Sequence, residues 1–148
     1  MSASGSLAGA WVLMVEDNAV DMMIAVAMLQ SWGVEGEQLS NGRAAVAAVQ
    51  RHAAAGRPFD AVLMDVQMPV MRGHEATRAL RSMDAGRELP VIALAAAALV
   101  TERDEALRAG MDDFLTKPID AAKLHAALLR SRRVASRIAA RVRPATPA

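Results

Sequence analysis

The chain has 148 residues, enough for one domain with a buried core, and its 53% hydrophobic and 22% charged composition is typical of a folded globular protein. Cysteine is absent, which excludes disulfides, zinc–thiolate sites and thiol catalysis, and no apolar stretch approaches the roughly 20 residues that span a bilayer, so we expect a cytoplasmic protein without membrane contact. The net charge of +1 hides an acidic body and a basic tail, because the charged residues from Arg130 onward are all arginines.

Four short apolar runs and one polar strand suited to a sheet edge alternate with helical segments along the chain. The predicted strands are Trp11–Val15, Val34–Ser40, Phe59–Met64, Val91–Leu94 and Asp113–Thr116. The predicted helices are Ala19–Trp32, Arg43–His52, His74–Met83, Thr101–Ala109 and a last one that begins near Asp120. This alternation predicts one α/β domain with a parallel sheet covered by helices on both faces. The expected organisation is a flexible lead-in over residues 1–10, the domain over 11–130 and an Arg-rich helical extension over 131–148.

An apolar stripe continues the last predicted helix toward the C-terminus. Its members recur at spacings of three and four residues and are Leu124, Leu128, Ser131, Ala135, Ile138 and Val142. Two interpretations stay open at this point. One is a solvated tail, since Ala and Ser weaken the stripe. The other is an extended helix that forms a homodimer or contacts an acidic surface.

Charged residues follow three of the five predicted strands. Glu16 and Asp17 follow the first strand, Asp65 follows the third and Lys117 follows the fifth. Because the carboxyl ends of parallel strands lie at one edge of a sheet, we expect these side chains to meet there. Two like charges about 4 Å apart repel by about 4 kcal/mol at an effective dielectric near 20, so the acids need a cation. Oxygen-only ligands suit Mg²⁺, and Asp65 beside it is a candidate nucleophile toward phosphorus.

These motifs resemble the receiver domain of two-component response regulators over roughly residues 10–130. The matching segments are Val15-Glu-Asp-Asn18, Leu63-Met-Asp-Val-Gln-Met-Pro69, Gly73 and Thr116-Lys-Pro118. The sequences around Asp65 and in Gly110–Ile119 are most similar to those of receivers attached to hybrid sensor kinases. The resemblance implies a flavodoxin-like, five-stranded sheet of order 2-1-3-4-5.

The resemblance also implies a role for each site residue. Asp65 would accept a phosphoryl group from a histidine kinase or a histidine phosphotransfer protein. Mg²⁺ would be held by Glu16, Asp17, Asp65 and the backbone carbonyl of Gln67, and Lys117 would pair with the phosphoryl group. Such a receiver promotes only its own phosphorylation and dephosphorylation, and is not otherwise an enzyme.

The chain departs from the family pattern at the end of the fourth strand. Receivers carry Ser or Thr there, and this chain has Ala95. In the family that hydroxyl binds the phosphoryl group and couples it to an aromatic switch, whose position here is Phe114. The backbone N–H of Ala96 is left as a candidate phosphoryl contact. We therefore expect phosphorylation to persist and its coupling to Phe114 to weaken, because a hydrogen bond to a charged group is worth about 1.5–3 kcal/mol. A second departure is Arg72, where such receivers usually have Asp.

The leading function is thus a phosphoacceptor in a phosphorelay with an atypical switch. The alternative is a protein-interaction module that keeps the fold but acts without phosphorylation. A haloacid-dehalogenase-like phosphatase would need a second acid where Gln67 stands, and a flavodoxin-like cofactor site would need a phosphate loop where Glu16-Asp17 stands. Specific nucleic-acid binding is not expected, since the Arg-rich tail offers only nonspecific charge.

Overall fold

The computed structural model describes residues 7–68, 71–96, 100–131 and 133–134, which form one five-stranded sheet with five helices. The strands are β1 (Trp11–Val15), β2 (Glu35–Leu39), β3 (Ala61–Asp65), β4 (Val91–Ala95) and β5 (Asp113–Thr116). The helices are α1 (Ala19–Ser31), α2 (Gly42–Ala54), α3 (Gly73–Arg81), α4 (Val100–Ala109) and α5 (Ala121–Arg130).

All neighbouring strands are parallel, and their order is β2-β1-β3-β4-β5, which confirms the predicted architecture. Every residue of β3 and β4 is buried, as expected for central strands covered on both faces. The polar strand β2 lies at the edge. Because the strands are parallel, the residues that follow β1, β3 and β5 emerge at the same edge of the sheet.

A separate hydrophobic core lies on each face of the sheet. Helices α2, α3 and α4 cover one face, where Phe59, Met64 and Leu80 are fully buried. Helices α1 and α5 cover the other, where Met14 and Leu124 are fully buried. Alternate residues along each central strand supply the two cores, so a one-residue slip of strand register would exchange them.

Local sequence signals set most element boundaries. Asn18 caps α1 by accepting hydrogen bonds from the N–H groups of Val20 and Asp21, at 3.0 and 2.9 Å. Gly33 follows α1 with φ of +75°, a conformation that favours glycine. The predicted boundaries agree with the observed ones to within two residues, and the small differences arise because helix ends depend on tertiary contacts as well as caps.

The two ends of the described chain pack more closely than the sequence indicates. Leu7 and Ala10, which fall in the predicted lead-in, are buried in the core beneath α1 and α5. At the other end α5 stops at Arg130, where Ser131 takes an extended backbone, and Val134 returns to the same core. The burial of these two residues is a feature that the sequence did not indicate, while the flexibility of the lead-in stays a prediction and residues 1–6 lie outside the described chain.

The first half of the predicted apolar stripe packs into the hydrophobic core of the domain. Leu124 and Leu128 are at most 1% exposed, and Ser131 is 8% exposed, so these three residues offer no dimer surface. Ala135, Ile138 and Val142 lie outside the described residues, so dimerisation stays a prediction. Among the described parts of the chain, no helix is both long and apolar enough to cross a bilayer.

One arginine on α3 ties together the loops that deliver β4 and β5. The Arg81 guanidinium donates to the carbonyls of Gly86 and Leu89 at 2.6 and 2.7 Å, and to that of Gly110 at 3.0 and 2.7 Å. It also pairs with Asp112 at 2.8 Å. Sequence reasoning missed this residue because its partners are backbone carbonyls, which leave no side-chain pattern.

Replacing Arg81 by alanine is expected to lower the free energy of unfolding by about 2–3 kcal/mol, because several carbonyls lose a charged donor. Chemical denaturation measures the change. The exposed Arg78 on the same helix is the matched control, and Arg78→Ala should change stability by less than about 0.5 kcal/mol. Equal effects of the two variants would contradict this role of Arg81.

Candidate functional site

The strand-end acids predicted to meet do so. Glu16 and Asp65 are 2% and 3% exposed, while Asp17 is exposed. One carboxylate oxygen from each of the three lies within 4.8 Å of the other two. The β1–α1 loop holds this arrangement, since Glu16 N–H donates to the carbonyl of Leu39 at 3.0 Å and Asn18 N–H donates to Glu16 Oε2 at 3.1 Å.

Asp65 is fixed by the loop that follows β3. Its Oδ1 accepts a hydrogen bond from the N–H of Gln67 at 2.9 Å. The chain then returns so closely that a Cβ on Gly73 would lie 2.5 Å from the carbonyl oxygen of Asp65, so only glycine fits there. Gly73 N–H donates to the carbonyl of Val66 at 3.3 Å, which closes the loop. The other oxygen of Asp65 is thereby turned toward the rest of the site.

Lys117 brings its amine to the centre of the acids. Its Nζ lies 2.5 Å from Glu16 Oε1, 3.1 Å from Asp65 Oδ2 and 3.3 Å from Asp21 Oδ2. Its backbone is anchored by a 2.7 Å hydrogen bond from its N–H to the carbonyl of Ala95, and the Lys117–Pro118 peptide is cis. Sequence reasoning predicted that Glu16, Asp65 and Lys117 meet at the strand ends, but it paired the lysine with a phosphoryl group and not with these carboxylates.

Asp21 is the site residue that sequence reasoning missed. It lies in the first turn of α1 rather than at a strand end. Its place in the first turn of the predicted helix that directly follows Glu16 and Asp17 was the available signal. The cap at Asn18 orients this first turn and so carries the Asp21 carboxylate to the lysine.

Burial and mutual contact change the acidities of the pair at the centre. Burial raises the pKa of Asp65, a hydrogen bond with Glu16 adds to the effect, and the pKa reaches about 7. Burial alone would lower the pKa of Lys117, but the hydrogen bond with Glu16 and the charge of Asp65 outweigh it and raise that pKa above its usual range. Lys117 is therefore cationic at neutral pH, while Asp65 without a metal retains a proton part of the time.

The predicted switch residues lie beside the site. Ala95 is fully buried at the end of β4, and Ala96 after it is exposed. Phe114 is half-buried on β5 opposite Ala93 and packs against the core beneath α2, α3 and α4. The last residue of β4, where the resemblance led us to expect a hydroxyl, thus carries a buried methyl group.

Arg72 lines a shallow depression together with Asp17, Gln67 and Met68. It is exposed, and it precedes α3 without making a side-chain capping bond. Arg72 thus shares this depression with the exposed member of the acidic cluster, Asp17.

The donor set fits a divalent cation with oxygen ligands. Three carboxylates share the cluster, two of them are buried, and the one lysine amine among them cannot neutralise all three. Hard oxygen donors and an exposed third ligand suit Mg²⁺, which keeps part of its water shell. Glu16, Asp17 and Asp65 are the side chains that would hold it.

The fold and the site define a class: a doubly wound α/β protein with an acidic cation site and a lysine at the carboxyl ends of its strands. Residues 12–129 match the model of the response regulator receiver domain, and the chain belongs to that family. The resemblance to receiver domains that the sequence indicated is therefore confirmed.

Known proteins of the family resemble the chain closely. It is 43% identical over 122 residues to the sensor protein GacS of Pseudomonas syringae pv. syringae, covering 80% of this chain and 13% of that protein. The receiver domain of sensor histidine kinase PA1611 from Pseudomonas aeruginosa PAO1, solved with a magnesium ion in its active site cleft, has a TM-score of 0.76 and 41% identity over 84% of this chain and 98% of its own. The receiver domain of Ssk1, solved with the histidine phosphotransfer protein Ypd1 of Saccharomyces cerevisiae, has a TM-score of 0.67 and 26% identity over 78% and 83% of the two chains. The chain thus spans only a small part of the sensor protein that it matches.

Mg²⁺ affinity is expected to depend on pH through Asp65. Because its pKa is about 7, binding a cation below that pH displaces a proton, and affinity should fall about tenfold for each pH unit below about 7 and level off above it. Isothermal titration calorimetry at several pH values measures this. Asp65→Asn should flatten the slope; an unchanged affinity between pH 5 and 8 in the wild-type protein would contradict the prediction.

Proposed function

We propose that this chain is a phosphoacceptor of a cytoplasmic phosphorelay, which takes a phosphoryl group from a phosphohistidine onto Asp65 with Mg²⁺. One observation carries the proposal: Asp65 is buried at a strand end, 3.1 Å from the Lys117 amine and beside two further carboxylates. Membership of the receiver family supports it. The chain would act on no substrate other than its own aspartate.

The proposed phosphoryl transfer is a displacement at phosphorus. Asp65 supplies a carboxylate oxygen, the new O–P bond forms as the N–P bond of phosphohistidine breaks, and the electron pair stays on the imidazole nitrogen, which takes up a proton. Bound Mg²⁺ supplies positive charge for the phosphoryl oxygens. Glu16, Asp17 and the Gln67 carbonyl would join Asp65 in holding it, and Lys117 would meet a phosphoryl oxygen.

The surroundings of Asp65 suit this chemistry. The Gln67 N–H holds one carboxylate oxygen at 2.9 Å, which fixes the orientation of the other. Lys117 stays protonated, because its pKa is raised, so its charge is available throughout the neutral range. Positioning and charge neutralisation carry most of the catalysis in phosphoryl transfer, and both are present before any donor arrives.

A histidine kinase or a histidine phosphotransfer protein is the proposed donor. The solved complex of the Ssk1 receiver with Ypd1 supports a partner of this kind. Three exposed apolar residues of α1, namely Val20, Met23 and Ile24, lie at helical neighbour spacing and begin in the turn that holds Asp21. A donor that docks on this surface would place its histidine near the site.

The switch is proposed to be atypical. Without a hydroxyl at Ala95, the phosphoryl group would rely on Lys117 and the Ala96 N–H, and its link to Phe114 would weaken. This same observation favours the alternative function, an interaction module that acts without phosphorylation. The two functions differ in whether Asp65 is modified at all.

Acetyl phosphate with Mg²⁺ tests the proposal. The wild-type protein should gain the mass of one phosphoryl group, measured by intact-protein mass spectrometry, and Asp65→Asn should not, because the substitution removes the proposed acceptor carboxylate. Asp84→Asn, at an exposed loop aspartate, is the matched control and should label like wild type. A wild-type protein that never labels would favour the alternative function.

Restoring the hydroxyl tests the switch. In Ala95→Thr the phosphorylated protein should show a larger change in amide hydrogen exchange around Phe114 than phosphorylated wild type, because the new hydrogen bond links the phosphoryl group to its loop. Ala93→Ser, on the same strand and face, is a control without access to the strand end. If Ala95→Thr responds like wild type, the loop does not couple the two sites.

A further inference from the structure

Lys117 has a third anionic partner that lies outside the cation site. Asp21 Oδ2 is 3.3 Å from its amine, and the Asp21 side chain is 35% exposed. The group of mutually close carboxylate oxygens found among the described residues contains Glu16, Asp17 and Asp65 but not Asp21. The amine is thus shared between two carboxylates of the cation site and one that belongs to α1.

This difference matters when a cation and a phosphoryl group enter the site. The charges of Glu16 and Asp65 are then compensated by the cation, which weakens their hold on Lys117. Asp21 has no such compensation, and its position in the first turn of α1 is fixed by the cap at Asn18. Among the three carboxylates, Asp21 is therefore the one that keeps attracting the amine away from a phosphoryl oxygen.

We infer that Asp21 is a positioning residue that competes with the phosphoryl group for Lys117 and so weakens phosphoryl binding at Asp65. This inference rests on the proposed function. It has more effect in this chain than in a receiver with a hydroxyl at the end of β4, because Ala95 leaves a larger share of phosphoryl recognition to Lys117. Asp21 touches no reacting atom and acts only through the lysine.

Beryllium fluoride with Mg²⁺, an analogue of the phosphoryl group, measures the competition. Asp21→Asn should bind it about fivefold more tightly than wild type, at the low end of typical coupling because the pair is partly exposed. Asp21→Glu restores the carboxylate and should return the affinity toward that of wild type. Asp104→Asn, at an exposed aspartate on α4, should bind like wild type.

The lysine itself can be observed directly. The chain contains two lysines, Lys117 and the exposed Lys123, so a protein labelled with ¹³C at the lysine ε-carbons gives one signal from the site and one internal reference. In the Mg²⁺ form, Asp21→Asn should move the Lys117 signal and leave that of Lys123 in place. Addition of beryllium fluoride should then move the Lys117 signal at lower concentration than in wild type.

The outcomes separate this inference from the proposed function. If wild type neither binds beryllium fluoride nor labels with acetyl phosphate, the proposed function fails. If wild type does both, but Asp21→Asn binds beryllium fluoride no more tightly, Asp21 does not compete and the inference is overturned. A tighter Asp21→Asn whose Lys117 signal stays in place would also overturn it, because the effect would then not pass through the lysine.

Discussion

The site depends on one interaction, the contact of the Lys117 amine with the buried acids at the strand ends. Glu16 and Asp65 are almost fully buried and close together, an arrangement that would be costly without a positive charge. The parallel sheet brings them together, and Lys117 arrives from β5 with its backbone anchored on Ala95. Since one amine cannot neutralise all the acids, the site keeps an excess of negative charge that favours a divalent cation.

The fold and most of the site could be predicted from the sequence because both follow from strand ends. Four apolar runs and one polar strand that alternate with helices predict a parallel sheet, and a residue that follows such a strand must emerge at the carboxyl edge of the sheet. That argument located Glu16, Asp65 and Lys117. It did not locate Asp21, because a helix and not a strand end places that carboxylate beside the lysine. It did not locate Arg81 either, because most partners of that guanidinium are backbone carbonyls. Helix α5 ends at Arg130, and the predicted helical extension past residue 134 lies outside the described residues and stays a prediction.

We propose that Ala95 separates two properties of a receiver, acceptance of the phosphoryl group and its coupling to Phe114. The groups proposed to accept the phosphoryl group lie at strand ends and do not involve a hydroxyl at position 95. The proposed path from the phosphoryl group to Phe114 would pass through the end of β4, where the described structure has a buried methyl group. The absence of the hydroxyl would also place more weight on Lys117, and hence on the residues that hold it.

Identification of the phosphorylated residue tests the central claim most directly. Borohydride reduction of the protein after phosphorylation converts an aspartyl phosphate to homoserine, which peptide mass spectrometry locates in the sequence. The account predicts homoserine at position 65 and at no other aspartate. Homoserine elsewhere, or none in a protein that carries a phosphoryl group, would contradict it.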